Sequence, residues 1–355
     1  MDFFDRQRRL NGFGASGQEK LGQSTVLIAG TGGLGCPVAL YLAAAGTGKI
    51  ILVDGDTVDP SNLHRQILFG VEDIGRKKAS TAAGHLQKMY PHLVVQSADS
   101  WITPGLLKDL IMEVDVIVDA TDNFDTRFLL NDFARIYRKP LVHGAVLGFE
   151  GLFSVFQYPD PERGFDYRHL VSEKPPAGEI PACGEDGVLG VLPGIIGTHM
   201  AAEAIKIVTG TGEVISGIVS HFDLRSQRWY NISLQKNARI KLAETEADLV
   251  AGNDRSDCDS GQKWQLQGEL LVDVREPGEI CADDPVTGLN IPLADIRSRR
   301  AEWENYTQIV VFCQSGSRSK RAMQTMQQIA PGIKISHLEG GIEKLKPGTV
   351  LHSSK

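Results

Sequence analysis

Six residues, Gly30-Thr31-Gly32-Gly33-Leu34-Gly35, restrict the fold of this chain more than any others. They come after the apolar run Val26-Leu27-Ile28-Ala29 and lead into Val38 to Ala45, a stretch of apolar helix formers. Glycines in this pattern permit a tight turn and let a phosphate approach backbone amides at a helix N-terminus. Pro37 is tolerated in the first helical turn, and Gly46 is placed to end the helix. Lys49-Ile50-Ile51-Leu52-Val53-Asp54 reads as a second buried strand ending in an acid. The pattern predicts a βαβ unit and, with it, a Rossmann-like doubly wound α/β sheet. The later strand Val114 to Val118 runs into Asp119-Ala120-Thr121-Asp122-Asn123, again setting carboxylates at the strand edge where open α/β sheets hold ligands.

Taken alone, the glycine turn with Asp54 near the ~20-residue spacing of a ribose-binding acid also suits a nicotinamide-dependent oxidoreductase. Such an enzyme has no evident use for the run Asp54-Gly55-Asp56-Thr57-Val58-Asp59-Pro60-Ser61-Asn62-Leu63-His64-Arg65-Gln66. This run offers carboxylates, an amide and a guanidinium immediately after the nucleotide strand. At 355 residues the chain exceeds what one hydrophobic core usually serves, so two domains are expected. A net charge of −7 argues against nucleic acid or an acidic membrane surface as the main partner. The longest apolar stretch, 187–202, is interrupted by Pro193 and glycines and is too short to span a bilayer. The N-terminal residues lack the apolar core of a secretory signal, so a cytoplasmic location is expected.

The glycine turn and the run after it resemble the ThiF/MoeB family of ubiquitin-activating-enzyme-like adenylyltransferases, which carry Gly-x-Gly-Gly-Leu-Gly and then Asp-x-Asp-x-Val-x-x-Ser-Asn-Leu-x-Arg-Gln. The resemblance implies attack of a protein's C-terminal carboxylate on the α-phosphate of ATP. It also assigns roles. Gly30, Gly32, Gly33 and Gly35 would cradle phosphate and Asp54 would take the ribose hydroxyls. Asn62, Arg65, Lys78 in Gly75-Arg76-Lys77-Lys78, and Arg6 in Phe4-Asp5-Arg6-Gln7 would face the phosphates. Arg6 would reach the site of a partner subunit, which implies a homodimer. Asp122 would bind magnesium through oxygen, as a hard cation requires; capping of the next helix is the other use of such an acid.

Many members of this family hold a structural zinc on two Cys-x-x-Cys pairs. Here the first position reads Asp166-Tyr167-Arg168-His169, and Ser233-Leu234-Gln235-Lys236 offers no second pair, so no structural zinc is expected. The five cysteines, Cys36, Cys183, Cys258, Cys281 and Cys313, form no Cys-x-x-Cys at all. Cys183, in Pro181-Ala182-Cys183-Gly184, matches the family's cysteine-bearing loop. It is expected to receive or resolve the activated carrier, with a conjugating thioester as the alternative. The stretch 160–187, rich in Pro, Gly and charge, reads as a long mobile connection across the first domain.

The C-terminal part resembles a rhodanese domain, through Leu271-Val272-Asp273-Val274-Arg275-Glu276-Pro277, Leu289-Asn290-Ile291-Pro292-Leu293, Leu338-Glu339-Gly340-Gly341-Ile342 and, centrally, Cys313-Gln314-Ser315-Gly316-Ser317-Arg318. The last of these lies between the buried strand Ile309 to Phe312 and a helix, the context in which loop amides, a helix N-terminus and Arg318 favour a thiolate at Cys313. The expected division is an adenylation domain over 1–235, a polar linker over 236–264 and a smaller α/β sulfurtransferase domain over 265–355. Together the two resemblances imply ATP-dependent adenylation of a ubiquitin-like sulfur carrier ending in Gly-Gly. A persulfide on Cys313, charged by a cysteine desulfurase or another donor, would then yield the carrier thiocarboxylate. The identity of the carrier and its pathway stay open.

Overall fold

The computed structural model describes residues 3–173, 187–246, 248–249, 270–275, 279, 286–338, 340–342 and 351–352. Among these, one compact unit lies within residues 3–249 and a second within 270–352.

The first unit is built on an eight-stranded sheet. Its strands are β1 (Thr25–Ala29), β2 (Lys49–Val53), β3 (Val94–Ala98), β4 (Val116–Asp119), β5 (Leu141–Leu147), β6 (Glu150–Phe156), β7 (Ile218–Asp223) and β8 (Arg228–Ser233), in the order β3-β2-β1-β4-β5-β6-β7-β8. The pairings from β3 to β5 are parallel and those from β5 to β8 antiparallel. The expected doubly wound α/β unit is therefore present, extended by an antiparallel half.

Burial on both faces explains why β1 is apolar throughout instead of alternating. Val26 and Ile28 join a core with Leu42 of helix α3 (Gly35–Ala45) and Met200 of helix α7 (Val191–Thr209). Leu27 and Ala29 point the other way, to Leu110 and Phe133. At ~1.5–3 kcal/mol for each fully buried aliphatic chain, this two-sided burial outweighs strand propensity, whose whole scale spans ~1 kcal/mol. α7 has the length and apolarity of a bilayer-crossing helix, but Leu192, Ile196, Met200 and Ala204 are buried in the core.

Residues 160–173 differ from the mobile connection expected of them. Asp166 and Tyr167 are buried, because Asn131 and Gln157 supply hydrogen-bond donors that satisfy the Asp166 carboxylate. The remainder of that connection, 174–186, lies outside the described residues. The first part of the polar 236–264 segment lies along this same unit. Ala243 and Leu249 are buried, the Ala243 carbonyl accepts from Arg135 Nε at 2.9 Å, and Glu246 meets Tyr137 and Lys108.

The second unit holds a four-stranded parallel sheet in the order β11-β9-β12-β13, formed by β9 (Leu270–Asp273), β11 (Leu289–Asn290), β12 (Gln308–Phe312) and β13 (Lys334–His337). Strand β10 (Val286–Thr287) pairs separately with β14 (Leu351–His352). Helix α8 (Ser317–Ile329) comes after β12 and buries Ala322 and Met326 against Trp303, Val311 and Ile335.

Candidate active sites

In the first unit the strand order reverses between β1 and β4, and ligands of open α/β sheets bind at the C-terminal side of such a point. A cavity of about 210 Å³ opens there. Its wall brings together Gly30, Gly32, Gly33, Asp54, Asn62, Arg65, Lys78 and Asp122. Gly35 lies just behind, as the first residue of α3. Arg6 sits exposed on the short helix α1 (Asp5–Arg8) and is not part of the wall. Cys183 lies outside the described residues.

Gly30 has a concrete reason to be glycine. Its φ is +90°, and a Cβ there would stand 2.8 Å from the Ala120 carbonyl oxygen at the end of β4. The loop it begins is fastened by Asp54. One oxygen of that carboxylate accepts from the Thr31 amide at 2.7 Å and the Thr31 hydroxyl at 2.9 Å, and the other from the Asp56 amide at 2.9 Å. A carboxylate has lone pairs beyond these three bonds with which to accept from ribose hydroxyls. Lys78, almost fully buried, pairs with the more exposed Asp56 at 2.8 Å. Arg65 donates to the Ser61 carbonyl at 3.1 Å, and Asn62 accepts from Gln66 at 2.7 Å.

Asn123 caps helix α6 (Phe124–Ile136), accepting from the Thr126 amide at 2.9 Å, so that job does not fall to Asp122. Asp122 is exposed at the cavity wall, and among the described residues no hydrogen bond or ion pair engages its carboxylate. No cluster of three or more metal-ligating side chains occurs among the described residues. That donor set fits magnesium carried on a triphosphate, which needs only one or two carboxylates because phosphate and water oxygens supply the rest.

Sequence reasoning placed Asp119 at the strand edge but missed how it, His143 and Arg127 support Asp122. Asp119 ends β4, accepts from the Thr121 amide at 3.0 Å and from the Thr121 hydroxyl, and receives His143 Nδ1 of β5 at 2.8 Å. Arg127, on the cavity wall, donates to the Thr121 carbonyl at 2.9 Å. Burial alone would raise the Asp119 carboxyl; hydrogen bonds from His143 and Thr121, with the Arg127 charge, outweigh it and hold the group below the usual carboxylate range. Burial pushes the His143 imidazole down, so the pair is an ionised aspartate and a neutral histidine donor. Trp101, also missed, is a 64% exposed indole on the same wall, seated over Gly55. Cys36, at the start of α3, is fully buried, and burial pushes its thiol up to about 12.

Where a first cysteine pair would stand, Asp166 and His169 form a capping box. The Asp166 amide donates to His169 Nδ1 at 2.8 Å, while both Asp166 oxygens are taken by Asn131, Arg168 and Gln157. Lys236, in place of a second pair, donates to the Glu162 and Arg163 carbonyls at 2.9 and 3.1 Å.

In the second unit Cys313 stands at the end of β12 and is fully buried. Its Sγ accepts from the Gly316 amide at 3.1 Å and the Ser319 amide at 3.3 Å, and lies 3.7 Å from Ser319 Oγ. Gly316, with φ +91°, turns the loop; a Cβ there would stand 2.7 Å from the Gly340 amide nitrogen. Arg318 makes a two-pronged pair with Glu279 at 2.6 and 2.8 Å. Arg275 is buried and paired with Asp273.

The chain is similar to known proteins over both units. The ThiF family model matches residues 4–242 and the rhodanese-like domain model residues 259–347. The probable adenylyltransferase/sulfurtransferase MoeZ of Mycobacterium tuberculosis is 34% identical over 371 residues, covering 98% of this chain and 94% of its own. The sulfur carrier protein adenylyltransferase of Thermus thermophilus is 40% identical over 255 residues, covering 70% of this chain and 94% of its own. Escherichia coli MccB, solved with ATP, superposes with a TM-score of 0.56 at 20% identity over 64% of this chain and 68% of its own, which bears on the fold alone. The chain belongs to the ThiF family and carries a rhodanese-like domain after its ThiF region.

Proposed function

We propose that the chain adenylates the C-terminal glycine of a ubiquitin-like sulfur carrier and then converts the acyl-adenylate to a thiocarboxylate with sulfur carried on Cys313. The protein is an adenylyltransferase and a sulfurtransferase. The observation that carries the finer reading is the gathering of Gly30, Asp54, Asn62, Arg65, Lys78 and Asp122 around one cavity at the reversal of strand order.

In this reading Asp54 receives the ribose, and Arg65, Lys78 and Asn62 neutralise and orient the phosphates. Asp122 would hold magnesium, whose part is to screen the triphosphate charge. A carrier carboxylate held in line attacks the α-phosphorus. The new O–P bond forms as the bond to pyrophosphate breaks, and most of the gain comes from positioning and charge stabilisation. Arg127 and Asp119 keep the Asp122 loop in place. The persulfide on Cys313 then displaces AMP from the carrier acyl group. A second thiol, for which Cys183 is the candidate, attacks the Cys313 sulfur, so that the S–S bond to the acyl sulfur breaks and the thiocarboxylate leaves. The disulfide formed with Cys313 is reduced by an external thiol before the next turnover.

The same proposal includes the division at 235 and 264, a cysteine desulfurase or similar persulfide source, a cytoplasmic location, and a homodimer in which Arg6 serves the partner subunit's cavity. It also includes an adenylation domain without structural zinc; the engaged Asp166 and His169 support that part. The test is isotope exchange between pyrophosphate and ATP. Exchange that appears only with magnesium and a carrier ending in Gly-Gly supports the reading, and exchange indifferent to the carrier overturns it.

A further inference from the structure

The sulfur of Cys313 is shut away from water, with none of its residue surface exposed. A thiol must lose its proton before it can attack sulfur, so a buried one needs a path for that proton through the protein. We propose that Ser319 and His337 are this path, an inference that rests on reading Cys313 as the sulfur-bearing nucleophile.

The fold sets the three groups in a row. Strand β13 pairs with β12 in a register that puts His337 beside Val311, two residues before Cys313. The first turn of α8 brings Ser319 between them, and Ser319 is itself fully buried. Ser319 Oγ lies 3.7 Å from Cys313 Sγ, 3.0 Å from the Gly316 carbonyl oxygen and 3.4 Å from His337 Nδ1. With His337 in the tautomer that leaves Nδ1 unprotonated, the hydroxyl hydrogen has two acceptors, one on the loop backbone and one on the imidazole. These separations are those of a resting site, where catalytic hydrogen bonds are long and tighten on reaction. The Gly316 and Ser319 amides already point at the sulfur, and two donors aimed at one atom suit a thiolate better than a thiol, which is a weak acceptor.

The Cys313 S–H bond breaks as its proton passes to Ser319 Oγ, while the hydroxyl proton of Ser319 passes to His337 Nδ1. A thiolate held by two amides and an imidazolium result. The thiolate attacks the outer sulfur of a sulfane donor such as thiosulfate. A new S–S bond forms, the donor's S–S bond breaks, and sulfite leaves with the electron pair; the proton on His337 passes to the departing sulfite or to water. The product is the Cys313 persulfide, with no oxidant or reductant required. Ser319 touches the reacting atom and is catalytic. His337 acts only through Ser319 and is a positioning residue for the proton.

The experiment is single-turnover sulfur loading of Cys313 from thiosulfate in the full chain, measured by mass spectrometry in H2O and in D2O. Ser319→Ala keeps the backbone amide that faces the sulfur but removes the hydroxyl; it should slow loading about 10²-fold, the scale of a lost proton-transfer group. His337→Phe should slow it by a similar factor, and the double variant by no more than either alone. Ser319→Thr, which restores a hydroxyl, should recover most of the rate and the solvent isotope effect; recovery of this kind excludes misfolding as the cause. Loading by Ser319→Ala within about threefold of the parent, or losses that multiply in the double variant, would overturn the relay. Cys313→Ser is the separate control: undiminished loading there would remove the sulfur-bearing role of Cys313 itself.

Discussion

The cavity of the first unit and the thiol loop of the second are built in opposite ways. The cavity wall draws on residues between Gly30 and Pro193, brought together by the strand order, and leaves Asp122 exposed with its carboxylate unengaged among the described residues. Among the described residues the thiol loop supplies the hydrogen bonds to its sulfur from Gly316 and Ser319, close by in sequence, and Cys313 is fully buried. A site that must receive a charged nucleotide keeps Asp122 open to the ligand and holds Lys78 buried against Asp56. A site that stores reactive sulfur gains from excluding water. One device is shared, since each loop turns on a glycine near φ +90° packed against backbone, Gly30 on Ala120 and Gly316 on Gly340.

The largest effect expected from this contrast is at Asp122. Asp122→Ala should lower carrier-dependent pyrophosphate exchange by about 10²–10³-fold, the usual scale for losing one preorganised electrostatic contact. Sulfur loading of Cys313 should be untouched by it. Exchange surviving within a few-fold would remove Asp122 from the chemistry and weaken the idea that its exposure is functional.

Next come the two turning glycines. Alanine at either position costs about 1–3 kcal/mol for its backbone conformation, before the close approach is counted. Gly30→Ala should reduce exchange at least tenfold and spare sulfur loading; Gly316→Ala should do the reverse. Parallel kinetics on the two variants check this, and a glycine substitution that damaged both activities equally would contradict the independence of the two loops.

Acid should weaken the first unit around Asp119 and His143. His143 is held below its ordinary value of 6.5, so the unfolded chain takes up a proton that the folded one refuses, and stability falls as pH drops below about 6.5. Asp119 is held below its ordinary 3.8, so its contribution is complete above that value and is lost as pH falls through the lower folded value. His143→Asn keeps a donor to Asp119 but does not titrate. Hydrogen exchange across β4 and β5 should therefore show a shallower loss of protection between pH 6.5 and 4 in that variant, an effect smaller than those of the glycines. An unchanged acid profile would mean that other groups set it.

The smallest effect concerns Cys36. Its buried thiol, pushed up to about 12, should resist alkylation in the folded protein, and Cys36→Ala should leave both activities within about twofold.

Legibility in the sequence divides along the same contrast. The glycine turn, the strand-end acid at Asp54 and the Cys313 loop are contiguous, and contiguous backbone geometry leaves a local signature. The cavity residues from Asn62 to Lys78 and Asp122 became readable only through a family pattern, because the sheet reversal that joins them is a property of strand order. Asp119 was legible only as a carboxylate at a strand edge, and His143, Arg127 and Trp101 left no signal of their own. A lone histidine in a strand looks like any other until β5 pairs with β4 and sets it beside Asp119. His337 was hidden for the same reason, by the register of β13 on β12. The 160–173 stretch looked mobile because Pro, Gly and charge dominate it, and burial of Asp166 depends on Asn131 and Gln157, which lie outside it in sequence.

The central claim is that one chain performs two separable steps, activation at the cavity and sulfur delivery from Cys313. Its most direct test is mass spectrometry of the carrier after incubation with ATP, magnesium, thiosulfate and either the parent protein or Cys313→Ser, alongside pyrophosphate exchange on the same samples. The account predicts that Cys313→Ser exchanges pyrophosphate like the parent but gains no sulfur and leaves the carrier C-terminus without the added sulfur mass. Thiocarboxylate formed at the parent rate by Cys313→Ser, or exchange lost together with it, would contradict the account.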